Sequence, residues 1–284
     1  MDSQALKNRT SGNAPEILLG PRTSVGLFFR DLWRFRELLA FLAWRDVLLR
    51  YKQAAFGIGW ALLRPLLTLV IFTLVFQRVA GIGTDGVPYP LFALSGMLIW
   101  QFFAGCAADA SQSLVANSSL VTKVFFPRLI LPSSVTLVNL LDFAVTLPLF
   151  AALWIYHGAP PPGPLWALPL VLVWMLVVAL GTGFWLSAAT VRFRDVKFLV
   201  PFALQIGLYA SPVAYPVSAL PEKVRLLSYL NPLAGLIEAL RWSCFGAAPS
   251  HTVGVWISLA AGVAIFVSGF VFFRRLEDSF ADII

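Results

Sequence analysis

Charge is what this 284-residue chain has least of: Asp, Glu, Lys and Arg make up 12% of it, against about 25% in an ordinary soluble domain. With 59% of residues hydrophobic, that scarcity rules out a soluble globular fold and points to an integral membrane protein. Cysteine is nearly absent. Cys106 and Cys244 have no metal-ligand spacing and form no disulfide framework, so neither metal binding nor redox chemistry is expected. The two histidines, His157 and His251, fall at expected outer boundaries rather than beside a nucleophile. There is no Walker A sequence, no HExxH and no G-x-S-x-G, and no catalytic residue is expected. A sustained period-two alternation is also missing, which argues against a transmembrane barrel. Helices then satisfy the backbone polar groups in lipid.

What is present is a series of long apolar runs, expected to be six transmembrane helices at residues 56–80, 91–114, 129–156, 165–189, 198–215 and 253–273. A helix over 56–80 would be about 37 Å long, enough to cross a hydrocarbon core of about 30 Å with some tilt. The net charge of +7 reads as topology rather than as nucleic-acid binding, because a positive excess beside membrane spans marks the cytosolic side. On this scheme all cations except Arg78, Lys223, Arg225 and Arg241 lie inside, and the short outer loops at 81–88 and 157–164 contain no Lys or Arg. Both termini are then cytosolic. Residues 1–29 form a polar cytosolic tail without a signal-peptide core. Over 32–52 an amphipathic helix is expected to lie at the interface. Leu32, Phe35, Leu39, Leu42 and Leu49 share one side, Arg30, Arg34, Glu37, Arg45 and Lys52 another, and Trp33 and Trp44 sit at headgroup depth.

Two segments depart from simple spans. Residues 117–132, reading NSSLVTKVFFPRLILP, carry Lys123 and Arg128 between two apolar runs and predict a short cytosolic helix. Residues 217–248 mix Glu222, Lys223, Arg225, Glu238 and Arg241 with apolar turns, broken at Pro221 and at Asn231-Pro232. They predict a re-entrant pair of short helices on the outer side, since irregular backbone at membrane depth survives only where protein or a water-filled cavity covers it.

A few polar side chains fall within the spans. Arg64, followed by Pro65, lies about two turns into the first, where it faces protein or water, binds phosphate, or snorkels to the inner headgroups. Asn139 and Asp142 lie i,i+3 on one face of the third span and either line a polar path or bond across a helix interface. Asp109 and Asp142 read as isolated carboxylates. Trp60, Tyr209 and Tyr215 are rings that either line a passage or pack in lipid.

FGIGWALLRPLL at 56–67, KVFFPRLILP at 123–132, VRFRDV at 191–196, SPVAYPVSALP at 211–221 and LNPLAGLIEALRW at 230–242 resemble, in order, segments of the ABC transporter type-2 permeases. Among these the chain is most similar to exporters of O-antigen and related cell-surface polysaccharides, from about residue 30 to the end. The resemblance implies a six-helix permease domain over 30–284 that forms a homodimer and binds two copies of a separate ATPase. That partner would hold ATP and Mg, this chain binding no cofactor of its own. The complex would move undecaprenyl-linked polysaccharide across the bacterial inner membrane. Within 117–132, Val121, Lys123, Val124, Phe125, Phe126 and Arg128 would couple to the ATPase. Trp60, Arg64, Tyr209 and Tyr215 would line the substrate path, and Pro221, Asn231, Pro232, Glu238 and Arg241 would belong to the outer gate. The alternatives are export of teichoic acid, a drug or a lipid, or a membrane-embedded acyl- or phosphotransferase.

Overall fold

The computed structural model describes residues 25–52, 59–81, 83–84, 86–158 and 163–283, and among them every regular element is a helix. The tail through residue 24, the start of the first expected span at 56–58, Asp85, and Pro160, Pro161 and Pro162 of the second expected outer loop lie outside the described residues.

The single amphipathic helix expected over 32–52 is two helices, α1 (Val25–Arg34) and α2 (Arg36–Tyr51), which break at Phe35, where φ is −103° and ψ 23°. α1 begins ahead of the expected tail boundary at 29. The physical reason is Phe28, 1% exposed, which packs edge-on against Phe184 and Phe270. Burying such a ring stabilises by about 1.5–3 kcal/mol. On α2 the inward stripe runs through Leu39, Leu42 and Ala43, while Phe41, Trp44 and Leu49 face outward. Leu49, expected on the inward stripe, is 74% exposed, because the last inward positions of α2 belong to polar groups.

The long helices follow. α3 (Gly59–Phe72) runs into a π-helical segment (Thr73–Val79). α4 (Tyr89–Ala116) is followed by the short α5 (Ser118–Lys123) and by α6 (Ile130–Tyr156). α7 (Leu168–Arg192) and α8 (Val196–Ala210) come next, then α9 (Glu222–Ser228), α10 (Pro232–Phe245), α11 (Thr252–Leu276) and the terminal α12 (Phe280–Ile283). Proline punctuates the starts: Pro90 and Pro169 fall in first turns, where an N–H has no intrahelical partner to lose. α10 is capped by Asn231, whose side chain accepts from Leu233 N at 3.0 Å, and ends at Gly246 with φ 68°, a left-handed geometry that glycine adopts without a Cβ penalty.

Among the described residues five stretches are long and apolar enough to cross a bilayer: Leu62–Val79, Tyr89–Ala116, Ile130–Tyr156, Leu165–Arg192 and Thr252–Ser279. The fifth expected span, 198–215, differs. Its helix α8 is 15 residues, about 22 Å, and stops at Ala210, where Ser211 turns extended ahead of Pro212. The segment after it is buried through Ala214, so protein covers its irregular backbone.

α4 is the axis of the bundle, most of its length enclosed by α6 and α7, with α11 packed along α7. That last pair is close. A Cβ added at Gly181 would lie 2.4 Å from Phe266 Cα, and one at Gly269 would lie 2.3 Å from the Gly181 carbonyl oxygen. In lipid, where helix contact is driven by packing rather than by loss of water, such small-residue faces decide which helices pair. Apolar side chains form two main tiers. One joins α1, α2, α5 and the ends of α7 and α11 at the cation-rich end; the other joins α4, α7 and α10 towards the opposite end.

Candidate functional site

A cavity of about 970 Å³ opens between α3, α4 and α6, with the end of α2 and Leu208 of α8 completing its wall. The lining is mixed: Trp60, Pro65, Met97, Trp100 and Phe143 are apolar, and Arg50, Tyr51, Arg64, Gln101, Asp109, Asn139 and Asp142 are polar. A mixed wall of this kind suits a ligand with both apolar faces and hydrogen-bonding groups.

The polar lining is ordered around Arg50. Its guanidinium donates through Nη2 to Asp109 Oδ2 at 2.5 Å and through Nη1 to Asp142 Oδ2 at 2.5 Å. Asn139 Nδ2 donates to Asp109 Oδ2 at 2.8 Å and to the Val135 carbonyl at 2.9 Å, and the Tyr51 hydroxyl donates to Asp142 Oδ1. Burial, then the hydrogen bond to Asp142, push the Tyr51 phenol above its ordinary pKa, so it stays a donor. Gly105 makes the room, since a Cβ there would lie 2.2 Å from Asn139 Oδ1. The carboxylates that read as isolated, Asp109 and Asp142, are thus bridged by one cation. Asn139 and Asp142 bond across helices, as one of the two expected alternatives had it, and both line the cavity. Neither Arg50 nor Tyr51 was singled out in the sequence. The signal was there, because two carboxylates within apolar runs require a cation or a donor nearby.

Of the four expected path residues, Trp60 and Arg64 line this cavity. Tyr209 and Tyr215 do not. Tyr209 is 63% exposed on α8, and Tyr215 donates its hydroxyl to the Tyr209 carbonyl at 3.0 Å.

At the cation-rich end the expected coupling residues divide. Val121 and Phe126 are buried in the core there and anchor α5 to the bundle. Arg128 is held by the C-terminal segment, its backbone N–H donating to Glu277 Oε1 at 2.9 Å and its guanidinium to the Glu277 carbonyl. Lys123 and Val124 are exposed, and Phe125 is 88% exposed. An aromatic ring left this open beside a cation is a natural anchor for a protein groove. The short helix is also tied to α2, because Arg45 Nη2 donates to Asn117 Oδ1 at 2.9 Å.

At the opposite end the residues expected in a gate are built into a network. Pro221 precedes α9 and Pro232 opens α10. Asn231 Nδ2 donates to Ser211 Oγ at 2.8 Å. Glu238 accepts from the Tyr229 hydroxyl at 2.6 Å and from Ser250 Oγ at 2.9 Å. Arg241, 4% exposed, donates to the Phe92 and Val213 carbonyls at 3.2 and 2.9 Å. Its guanidinium carbon lies 3.4 Å from the Phe92 ring centroid.

A family model described as ABC-2 type transporter matches residues 37–245. The O-antigen export system permease protein RfbA of Klebsiella pneumoniae is 28% identical over 249 residues, covering 87% of this chain and 95% of that protein. The protein of the same name from Myxococcus xanthus is 31% identical over 213 residues, covering 74% and 81%. The polysialic acid transport protein KpsM of Escherichia coli is 22% identical over 242 residues, covering 83% and 92%.

Proposed function

The chain belongs to the ABC-2 type transporter family, and from that premise we propose that it is the transmembrane subunit of an ATP-driven exporter of lipid-linked polysaccharide of O-antigen type. It sits in the bacterial inner membrane with the cation-rich end and both termini in the cytosol. Six crossings follow if α8 and the buried turn after it together make the fifth, with α9 and α10 as re-entrant gate helices. Support for the cargo comes from the relatives, whose names specify O-antigen export and polysialic acid transport and which align over most of both chains.

The geometric observation that carries the mechanism is the tip at α5. Phe125 stands free of the bundle while Val121 and Phe126, four and one positions from it, are locked inside. A partner ATPase holding ATP and Mg grips Lys123, Val124 and Phe125, and its closure moves α5 as a rigid body rather than bending it, because packed cores switch between discrete arrangements. Two copies of this chain and two ATPases make the working unit. The exposed faces of α3 and α8, carrying Leu67, Val70, Ile71, Phe202, Ile206 and Tyr209, are then covered by the second copy, which brings Tyr209 and Tyr215 to the path that Trp60 and Arg64 line within one chain.

The test is to purify the complex from native membrane, weigh it intact, and follow lipid-linked polysaccharide in cells lacking this chain. Two permeases with two ATPases, and polymer accumulating on the cytosolic face, are expected. Normal surface polysaccharide in those cells would refute the assignment.

A further inference from the structure

The Arg50 cluster joins three separate elements, α2, α4 and α6. Asp109 lies seven residues before the end of α4 at Ala116, about 10 Å along the helix, and Asp142 lies twelve residues past the start of α6 at Ile130, about 18 Å along it. A cation anchored at the end of α2 meets both. Five residues earlier on the same helix, about 7.5 Å away, Arg45 holds Asn117, the residue at which α4 passes into α5. α2 therefore carries a grip on the coupling helix near its middle and a grip on two spans at its end.

We propose that Arg50 is a positioning residue that locks the cytosolic side of the cavity: bonded to Asp109 and Asp142 it holds α4 and α6 together, and displacement of α5, passed through Asn117 and Arg45 to α2, withdraws it and opens that side to the cytosol. This rests on the reading of α5 as the coupling helix. The chemistry suits a lock rather than a permanent strut. Both carboxylates and the guanidinium keep about a third of their side-chain surface accessible (Arg50 32%, Asp109 34%, Asp142 28%), so water can solvate the separated charges and the pairs are weak enough to break. Asn139, on α6, remains as a donor to Asp109 when the guanidinium leaves, while Tyr51, next to Arg50 on α2, leaves Asp142 with it. A lysine could not replace Arg50, because a single ammonium lacks the planar fork that reaches two carboxylates at once.

Thr68 of α3 lines the same cavity and reports on its opening. In inside-out vesicles, with Cys106 and Cys244 replaced by alanine, Thr68→Cys is labelled with a membrane-impermeant maleimide. The neutral triple variant Arg50→Gln, Asp109→Asn, Asp142→Asn leaves no unpaired charge behind, so it inserts normally. Labelling is expected to rise about tenfold in it, the scale that one coupling network carries, with a smaller rise for Arg50→Lys. Unchanged labelling in the triple variant overturns the lock. In the complete complex, polymer exported per ATP hydrolysed is expected to fall about tenfold in the triple variant; export at the wild-type ratio overturns the transmission through α2. Faster labelling in a complex whose wild-type form exports no polysaccharide sustains the lock and refutes the transport assignment instead.

Discussion

Replacing Arg241 with methionine tests whether α10 is held by charge or by packing. The side chain is buried and makes hydrogen bonds to the Phe92 and Val213 carbonyls and to Ser95 Oγ, at 3.2, 2.9 and 3.3 Å, over the face of the Phe92 ring. Hydrogen bonds from a charged donor contribute about 1.5–3 kcal/mol net, and a desolvated cation over a ring about 2 kcal/mol. Against this stands the cost of burying the charge, several kcal/mol that methionine no longer incurs. We expect a net loss of about 3 kcal/mol, which for a chain of this size lowers the melting midpoint by roughly 6 °C. The structure supplies an internal control. A Cβ at Gly96 would come within 2.9 Å of Arg241 Nη2 and 2.8 Å of the Val213 carbonyl oxygen, so Gly96→Ala disturbs the same contact from the other side. The two substitutions should therefore be sub-additive, the double variant melting only slightly below the worse single one. The assay is thermal unfolding of purified protein in detergent, followed by helical signal, for the four members of the cycle. Full additivity, or an Arg241→Met midpoint equal to wild type, would refute the claim that this guanidinium ties α10 to α4.

Three further outcomes follow from neighbouring contrasts. Lys123→Glu with Phe125→Ala should leave the protein in the membrane at its normal level and lower polymer exported per ATP hydrolysed by about thirtyfold, because an interface anchor costs about 2 kcal/mol or more when truncated; undiminished export in vesicles would remove α5 as the docking tip. Phe126→Ala, one residue along, should instead cost about 3 kcal/mol of stability through the cavity it leaves, visible as a lower melting midpoint, and an unchanged midpoint would contradict its burial. Gly269→Leu, which drives a side chain into the Gly181 carbonyl 2.3 Å from the new Cβ, should destabilise by about 3 kcal/mol as overpacking does; a normal level of folded protein in the membrane would show that α7 and α11 can separate.

How much could be read in advance depended on whether the controlling physics was local. Spans at 91–114, 129–156, 165–189 and 253–273 follow from length and apolarity alone, since a bilayer core of about 30 Å accepts only runs of that length. The breaks at Pro221 and Asn231-Pro232 were equally legible, because each residue acts through its own backbone. Side-chain partnership was not. Arg50 looked like one more inside cation and Asp109 and Asp142 like unrelated carboxylates, yet positions 50, 109 and 142 meet at hydrogen-bond distance. Phe125 and Phe126 are identical in type and adjacent, and only the packing of α5 sends one outward and the other into the core. Sequence by itself determined that the chain lives in a membrane as helices with a cation-rich face, because solvation of each residue is a local property. Tertiary structure decided which residues share the cavity, which of the two adjacent rings stays exposed and where α8 stops, because those depend on distances between segments far apart in the chain.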